Sequence, residues 1–214
     1  MKTISVVISG RGSNLEALLN AVQAGHLKAR VARVIANRAD AGGLAIAAQH
    51  GVPTTVIESK KYQDRAAFDA ALAMALDADQ PDLIVLAGFM RILGESIVKQ
   101  FNHRMINIHP ALLPSYPGVD THQRALADGV KWHGCTVHFV TPKVDVGPII
   151  GQSVVPVREG DTEAILAARV LKAEHRLLVD CVRWFCEERL VIKDDKVLLR
   201  NAETSFDAYQ NPVG

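Results

Sequence analysis

The stretch Ile4-Ser5-Val6-Val7-Ile8-Ser9-Gly10-Arg11-Gly12-Ser13-Asn14-Leu15 changes character halfway along. Ile4 to Ser9 is a short apolar run and reads as a buried strand. Two glycines then permit a tight turn. From there Leu15, Leu18, Leu19 and Val22 recur at helical spacing as far as Gly25. Strand, glycine turn and helix together make a phosphate-binding layout, because free backbone N–H groups and the helix dipole favour an anion. The full dinucleotide fingerprint is absent. Leu15 stands where its third glycine belongs, and the next strand, Val31 to Ala36, ends in Asn37 and Arg38 with no acid to grip a ribose diol. A monophosphate therefore fits better than a dinucleotide. Local sequence supports equally an ordinary tight turn with Ser13 or Asn14 as the helix cap.

The alternation continues along the chain. Gly42 to His50 reads as an alanine-rich helix stopped by Gly51, and Thr54 to Ile57 as a strand. Lys61 to about Asp79 reads as a helix with Phe68, Leu72 and Leu76 on one face; Leu83 to Ala87 follows as a strand and Gly94 to Phe101 as a short helix. This order predicts an α/β fold with a doubly wound, mostly parallel sheet and flanking helices. Further on come a short helix (Thr121 to Gly129), strands at Gly134 to Val140 and Val154 to Val157, and a long helix capped by Asp161 and running to about Glu188. Its apolar stripe takes in Leu171, Leu178, Cys181 and Phe185. Asp194-Asp195 signals a hairpin, and the tail after Arg200 reads as frayed. We read one domain, with a phosphate-binding half over 1–100 and a second half over 101–200 that carries the long helix and hairpin.

Composition narrows the function. At 214 residues and 49% hydrophobic, the chain can bury one large core. A net charge of +1 gives no general pull towards nucleic acid or an anionic membrane, and 5% aromatic residues offer little for base stacking. No apolar run reaches the roughly 20 residues of a membrane helix. Cys135, Cys181 and Cys186 are odd in number and lack metal-ligand spacing, which suits reduced thiols in a cytoplasmic protein.

The chemistry centres on Met105-Ile-Asn107-Ile-His109-Pro110-Ala-Leu-Leu-Pro114-Ser-Tyr-Pro117-Gly118. Met105, Ile106 and Ile108 suit a strand, which Pro110 stops because it has no N–H to give. Asn107 and His109 then share one face at the carboxyl end of a strand, where open α/β sheets bind ligands. An amide donor and a protonated imidazole aimed at one spot can hold a developing oxyanion, and the imidazole can move a proton near neutral pH. Three prolines and a glycine make the following segment a stiff, shaped loop.

Other residues gain meaning only around that pair. The loop Gly88-Phe89-Met90-Arg91-Ile92-Leu93 is unusually apolar and could wall a flat ligand. Asp145, in the turn-rich Thr141 to Pro148 loop beside Gly147, can reach His109 if its strand neighbours the central one. A carboxylate there would favour the charged imidazolium; local sequence supports equally a turn-forming side chain at Asp145. His138 reads as a structural histidine, and Arg65 as a solvated surface arginine. Glu174 falls inside the apolar stripe of the long helix, where a carboxylate needs a partner: an amine or ammonium, or Arg176 or another structural group.

Together these segments resemble the free-standing, folate-dependent phosphoribosylglycinamide (glycinamide ribonucleotide) formyltransferases. The likeness runs from Ile4 to about Leu190. It is carried by Ile8 to Leu15, Leu86 to Leu93, Asn107 to Gly118, Gly134 to Val140, Val144 to Ile150 and Glu174-His175. It implies formyl transfer from 10-formyltetrahydrofolate to the amine of glycinamide ribonucleotide, in purine biosynthesis, with folate as co-substrate and no metal. Asn107, His109 and Asp145 would be catalytic. Arg11, Gly12, Ser13, Asn14 and Leu15 would hold the substrate phosphate, and Glu174 its amine. Arg65, Met90, Arg91, Ile92, Leu93, Val140, Thr141, Val144 and Asp145 would line the folate site. Val146 stands where such sequences are often acidic or small, and Leu171 where they are often polar. The implied partners are these small molecules alone, with the protein a monomer or homodimer.

Methionyl-tRNA formyltransferase and formyltetrahydrofolate deformylase share the Asn-x-His…Asp pattern. The first is expected to add a basic, RNA-binding C-terminal domain, the second an N-terminal regulatory domain. A sugar-phosphate binding module on the same fold would not need Asn107, His109, Asp145 and Glu174 together.

Overall fold

The computed structural model describes residues 1–201. At the centre of the sheet lies β1 (Lys2–Ile8), whose Val6, Val7 and Ile8 are at most 1% exposed. Burial on both faces explains why its sequence is a continuous apolar run rather than an alternation. Parallel partners flank it: β2 (Ala29–Ala36) on one side and β4 (Leu83–Leu86) on the other. Beyond β2 lies β3 (Thr54–Val56); beyond β4 lies β5 (Met105–His109), again parallel. The antiparallel pair β6 (Trp132–Phe139) and β7 (Ile149–Pro156) completes a seven-stranded sheet of order β3-β2-β1-β4-β5-β6-β7. The expected doubly wound, mostly parallel sheet is present. Strand order reverses between β1 and β4, so the loops leaving their carboxyl ends flank a topological switch point.

The helices are α1 (Ser13–Gln23), α2 (Gly43–Gln49), α3 (Arg65–Asp77), α4 (Glu95–Gln100), α5 (Thr121–Ala127) and α6 (Glu163–Cys186). None is long and apolar enough to cross a membrane. Two compact units emerge, residues 1–107 with 139–142, and residues 108–138 with 143 onward. In the first, Phe68, Leu72 and Leu76 of α3 pack with Val7, Ile84, Leu86, Phe101 and Met105. In the second, α6 lies close over β7. A Cβ on Gly151 would stand 3.0 Å from Leu177 and 3.1 Å from the Cys181 sulfur, so glycine permits the approach.

Several boundaries differ from expectation, each for a local reason. Helix α3 starts at Arg65 rather than Lys61, because the Asp64 carboxylate accepts the Ala67 N–H (2.8 Å) and caps it there. Ser59–Lys61 forms a separate 3₁₀ turn. Helix α6 is capped by Thr162, whose hydroxyl accepts the Ile165 N–H (3.3 Å). Asp161, the expected cap, instead takes a forked pair from Arg169 (2.6 and 2.8 Å) and the Arg158 N–H. The hydrogen bonds from Arg169 hold the Asp161 carboxyl down at about 2. The stripe of α6 also shifts. Leu171 and Phe185 are only half-buried, and the buried face is Leu166, Val170, Glu174, Leu177, Leu178, Cys181, Val182 and Trp184. Strand β7 begins at Ile149, five residues before Val154, since its small and polar Gly151, Gln152 and Ser153 interrupt the apolar signal.

The hairpin of β8 (Leu190–Lys193) and β9 (Lys196–Leu199) is as expected. Asp194 and Asp195 turn it with φ of 49° and 56°, the left-handed pair that a two-residue hairpin loop requires. The tail expected to be frayed lies, beyond Asn201, outside the described residues.

Candidate active site

In the first unit, β1 hands over to α1 through Gly10-Arg11-Gly12. Gly12 rather than Ser13 or Asn14 occupies the cap position, with φ of 85° and no side-chain cap. A Cβ there would stand 2.5 Å from the Gly43 Cα, so both the backbone angle and the neighbour select glycine. The ladder of α1 begins with the Glu16 N–H donating to the Gly12 carbonyl (2.8 Å). The N–H groups of Ser13, Asn14 and Leu15 precede it in the first turn, where an anion is favoured. Arg11 is exposed and Ser13 half-buried, while Leu15 is wholly buried, so its side chain belongs to the core and only its backbone can meet a ligand.

Across the switch point runs the apolar loop after β4. Met90 is 79% exposed and Ile92 56%, beside an exposed Arg91, whereas Phe89 and Leu93 are buried. Phe89 stacks on Phe68 (6.5 Å between ring centres), and the Arg91 guanidinium lies 4.9 Å over the Phe68 ring. Two side chains pin the loop at its ends. The Ser9 hydroxyl accepts the Met90 N–H (2.9 Å), and the Asp69 carboxylate accepts the Gly94 N–H (2.7 Å). The Ser9 N–H also donates to the Gly88 carbonyl (3.2 Å), tying this loop to the start of the glycine turn. Burial pushes the Asp69 carboxyl up, opposed by the Gly94 N–H and by the charges of Arg65 and Arg91. Arg65, exposed at the start of α3, therefore sits with Arg91 around one buried acid. Val140 is half-buried against the same core, and its N–H donates to the Met105 carbonyl (2.9 Å). Thr141 follows it, half-buried.

In the second unit, β5 ends in His109, 4% exposed. Its Nε2 lies 2.8 Å from the Tyr116 carbonyl. A carbonyl only accepts, so Nε2 carries hydrogen and Nδ1 is the position that gains or loses a proton. Nδ1 faces the Asp145 carboxylate at 3.5 Å. That same carboxylate oxygen accepts the Gly118 N–H (2.8 Å), and the other lies 3.7 Å from Nε2 of the buried His138. The proline-rich loop thus supplies both anchors, a carbonyl for His109 and an amide for Asp145. Asp145 itself has φ of 54°. Gly147 permits unusual backbone angles, yet Asp145 takes the left-handed one and aims its side chain inward while Val144 and Val146 stay exposed.

Asn107, two residues before His109 on β5, is half-buried. Glu174 is 8% exposed on the inner face of α6. Arg176, two residues on, is exposed on another face, so the proposed pairing between them is not made by helix geometry. Glu174 lies close enough to Cys135 that its charge, after burial, helps keep that thiol protonated.

Sequence reasoning brought Asp145 to His109 and missed two contributors. His138, read as structural, lies beside Asp145 without contradicting that reading. The Tyr116 carbonyl and Gly118 amide are backbone groups and carry no residue signature.

Comparisons with known proteins show the family. Residues 2–182 match the formyl transferase family. Over 196 residues the chain is 43% identical to the phosphoribosylglycinamide formyltransferase of Escherichia coli (strain K12), covering 92% of each. It is 39% identical to the Haemophilus influenzae protein of the same name, covering 99% of this chain and 100% of that one. It is also 47% identical to the human trifunctional purine biosynthetic protein adenosine-3, over 81% of this chain but 17% of that one. Among solved structures, glycinamide ribonucleotide transformylase 1 from Symbiobacterium toebii superposes with a TM-score of 0.91 at 48% identity, covering 93% and 94% of the two chains. A switch-point glycine turn, an apolar loop pinned beside it and an imidazole–carboxylate pair at a strand end thus stand on a chain that belongs to the formyl transferase family.

Proposed function

We propose that this protein transfers the formyl group of 10-formyltetrahydrofolate to the primary amine of glycinamide ribonucleotide, giving formylglycinamide ribonucleotide and tetrahydrofolate. The observation that carries the reading is the His109–Asp145 pair, set by the proline-rich loop with the imidazole Nδ1 facing the carboxylate. The substrate amine attacks the formyl carbon, and the carbonyl oxygen takes up negative charge. The Asn107 amide and a protonated His109 stabilise that oxyanion. The ammonium formed by attack gives up a proton, which passes by way of Asp145 and water to the folate nitrogen as its bond to the formyl carbon breaks.

The remaining residues bind. The loop from Arg11 to Leu15 holds the 5′-phosphate on the first turn of α1, chiefly through backbone N–H groups. Glu174, a buried carboxylate on the inner face of α6, holds the glycinamide amine. In the first unit the exposed apolar Met90 and Ile92, with Arg91, Leu93, Val140 and Thr141, offer a wall for the folate, and Arg65 a cation for its anionic tail; Val144, in the second unit, is a further folate contact. Burial keeps the Cys135 and Cys181 thiols protonated, in keeping with a reducing, cytoplasmic setting.

The test is an incubation with 10-formyltetrahydrofolate, with and without glycinamide ribonucleotide. Folate release is expected only with the acceptor. Release without acceptor would mean hydrolysis instead, and no release in either case would leave a binding module. A glycinamide riboside lacking the 5′-phosphate is expected to lose about tenfold or more in kcat/KM, since even one charge-assisted hydrogen bond is worth that much. Equal kcat/KM would remove the phosphate from the α1 turn.

A further inference from the structure

The His109–Asp145 pair is held by backbone groups of the 116–118 segment, which raises the question of what holds that segment. The answer lies on α5. Arg124 Nη1 donates to the Pro117 carbonyl (2.7 Å) and more weakly to the Val119 carbonyl (3.4 Å), bracketing Gly118. The same guanidinium lies 5.3 Å over the Tyr116 ring, and the Tyr116 hydroxyl donates to Asp128, one turn further along the chain (3.0 Å). The Pro117 carbonyl and the Gly118 N–H belong to one peptide group. Arg124 therefore grips the oxygen end of the very peptide whose N–H end grips Asp145. A cation at a peptide oxygen polarises the unit and strengthens its N–H as a donor.

We propose that Arg124 is a positioning residue for formyl transfer, acting on Asp145 through the Pro117–Gly118 peptide and on His109 through the backbone of Tyr116. It touches neither substrate. The proposal rests on the reading of His109 as the charged oxyanion donor and Asp145 as the acid beside it. Tyr116 and Gly118 both have left-handed backbones, φ of 55° and 82°. Such a segment is held in place by its surroundings rather than by its own preferences, so a staple on it bears directly on where its carbonyl and amide point.

The experiment compares wild type with Arg124→Met, Arg124→Ala and Arg124→Lys. Methionine keeps an apolar stem on the Tyr116 ring and removes the donors; lysine restores charge and one donor group. Arg124→Met and Arg124→Ala are expected to lower kcat about tenfold, with KM for either substrate within about twofold. The Gly118 amide proton resonance should move upfield in both, as its bond to Asp145 weakens. Arg124→Lys should recover most of both losses. A kcat near wild type in Arg124→Met, or a lowered kcat with the Gly118 resonance unmoved, overturns the proposal. If Arg124→Ala alone fails to fold, the Met and Lys variants decide. Asp145→Asn is run beside them. Wild-type kcat there would overturn the reading of Asp145 itself, whereas a large loss there with none in Arg124→Met would overturn only the role of Arg124.

Discussion

Replacing His109 by alanine is expected to lower kcat at least a hundredfold, with KM for both substrates changed little. One oxyanion donor contributes on the order of a hundredfold to a thousandfold in rate, because the transition state alone carries the charge it stabilises. His109 brings a charged donor to that role, so its loss falls at the upper end. The geometry sharpens the expectation. Nε2 is committed to the Tyr116 carbonyl at 2.8 Å, so the chemistry passes through Nδ1, which faces Asp145 at 3.5 Å. Asparagine in place of His109 can put a donor near the oxyanion but carries no charge, so it should recover only part of the loss. Asn107→Ala, which removes the companion donor, should fall by a similar factor. The measurement is kcat and both KM values by initial rates. His109→Ala turning over near wild type would place the reacting centre elsewhere.

Much of the fold was legible because its signals were local. The apolar runs of β1 and β4, the glycine turn before α1 and the Asp194-Asp195 turn each carry their structure in a few residues, and each appears where it was expected. Failures came where two plausible groups competed. Asp161 and Thr162 are adjacent capping residues. Arg169, two turns into the helix, draws Asp161 into a forked ion pair and leaves the cap to Thr162. Gly147 and Asp145 could each have taken the left-handed backbone of their loop. The Gly118 amide, 27 residues away, holds the Asp145 side chain inward, and the positive φ goes with it. The site was legible in its side chains and not in its scaffold. Asn107, His109 and Asp145 stand out as residue types, but Tyr116, Gly118, Ser9 and the buried Asp69 act through or upon backbone groups. No spacing announces that.

Acid should destabilise this protein in a window set by His133. That imidazole is fully buried and held at about 4, against an ordinary 6.5. Burial is the main cause, and the charges of His122 and His109 add to it; only the Pro110 carbonyl opposes. His122 Nδ1 lies 3.2 Å from His133 Nε2, and the Tyr116 ring meets the His133 ring edge-on at 5.8 Å, so little water reaches it. The unfolded chain takes up this proton near 6.5 and the folded one only near 4. Between those values the unfolded state binds more protons, and stability falls as pH falls. Above 6.5 neither state is charged and nothing is lost; below 4 both are, and the loss levels off. The shift corresponds to about 3 kcal/mol, a large share of a domain's stability. Asp161 works outside this window, since its depressed carboxyl withdraws support below the ordinary 3.8, as pH falls towards about 2. Denaturant unfolding from pH 7 to 4 should therefore show a steep decline in wild type and a shallower one in His133→Gln. The glutamine variant is expected to be less stable at pH 7, so the slopes, not the absolute stabilities, make the test. Parallel slopes would show that His133 is not the group that acid attacks.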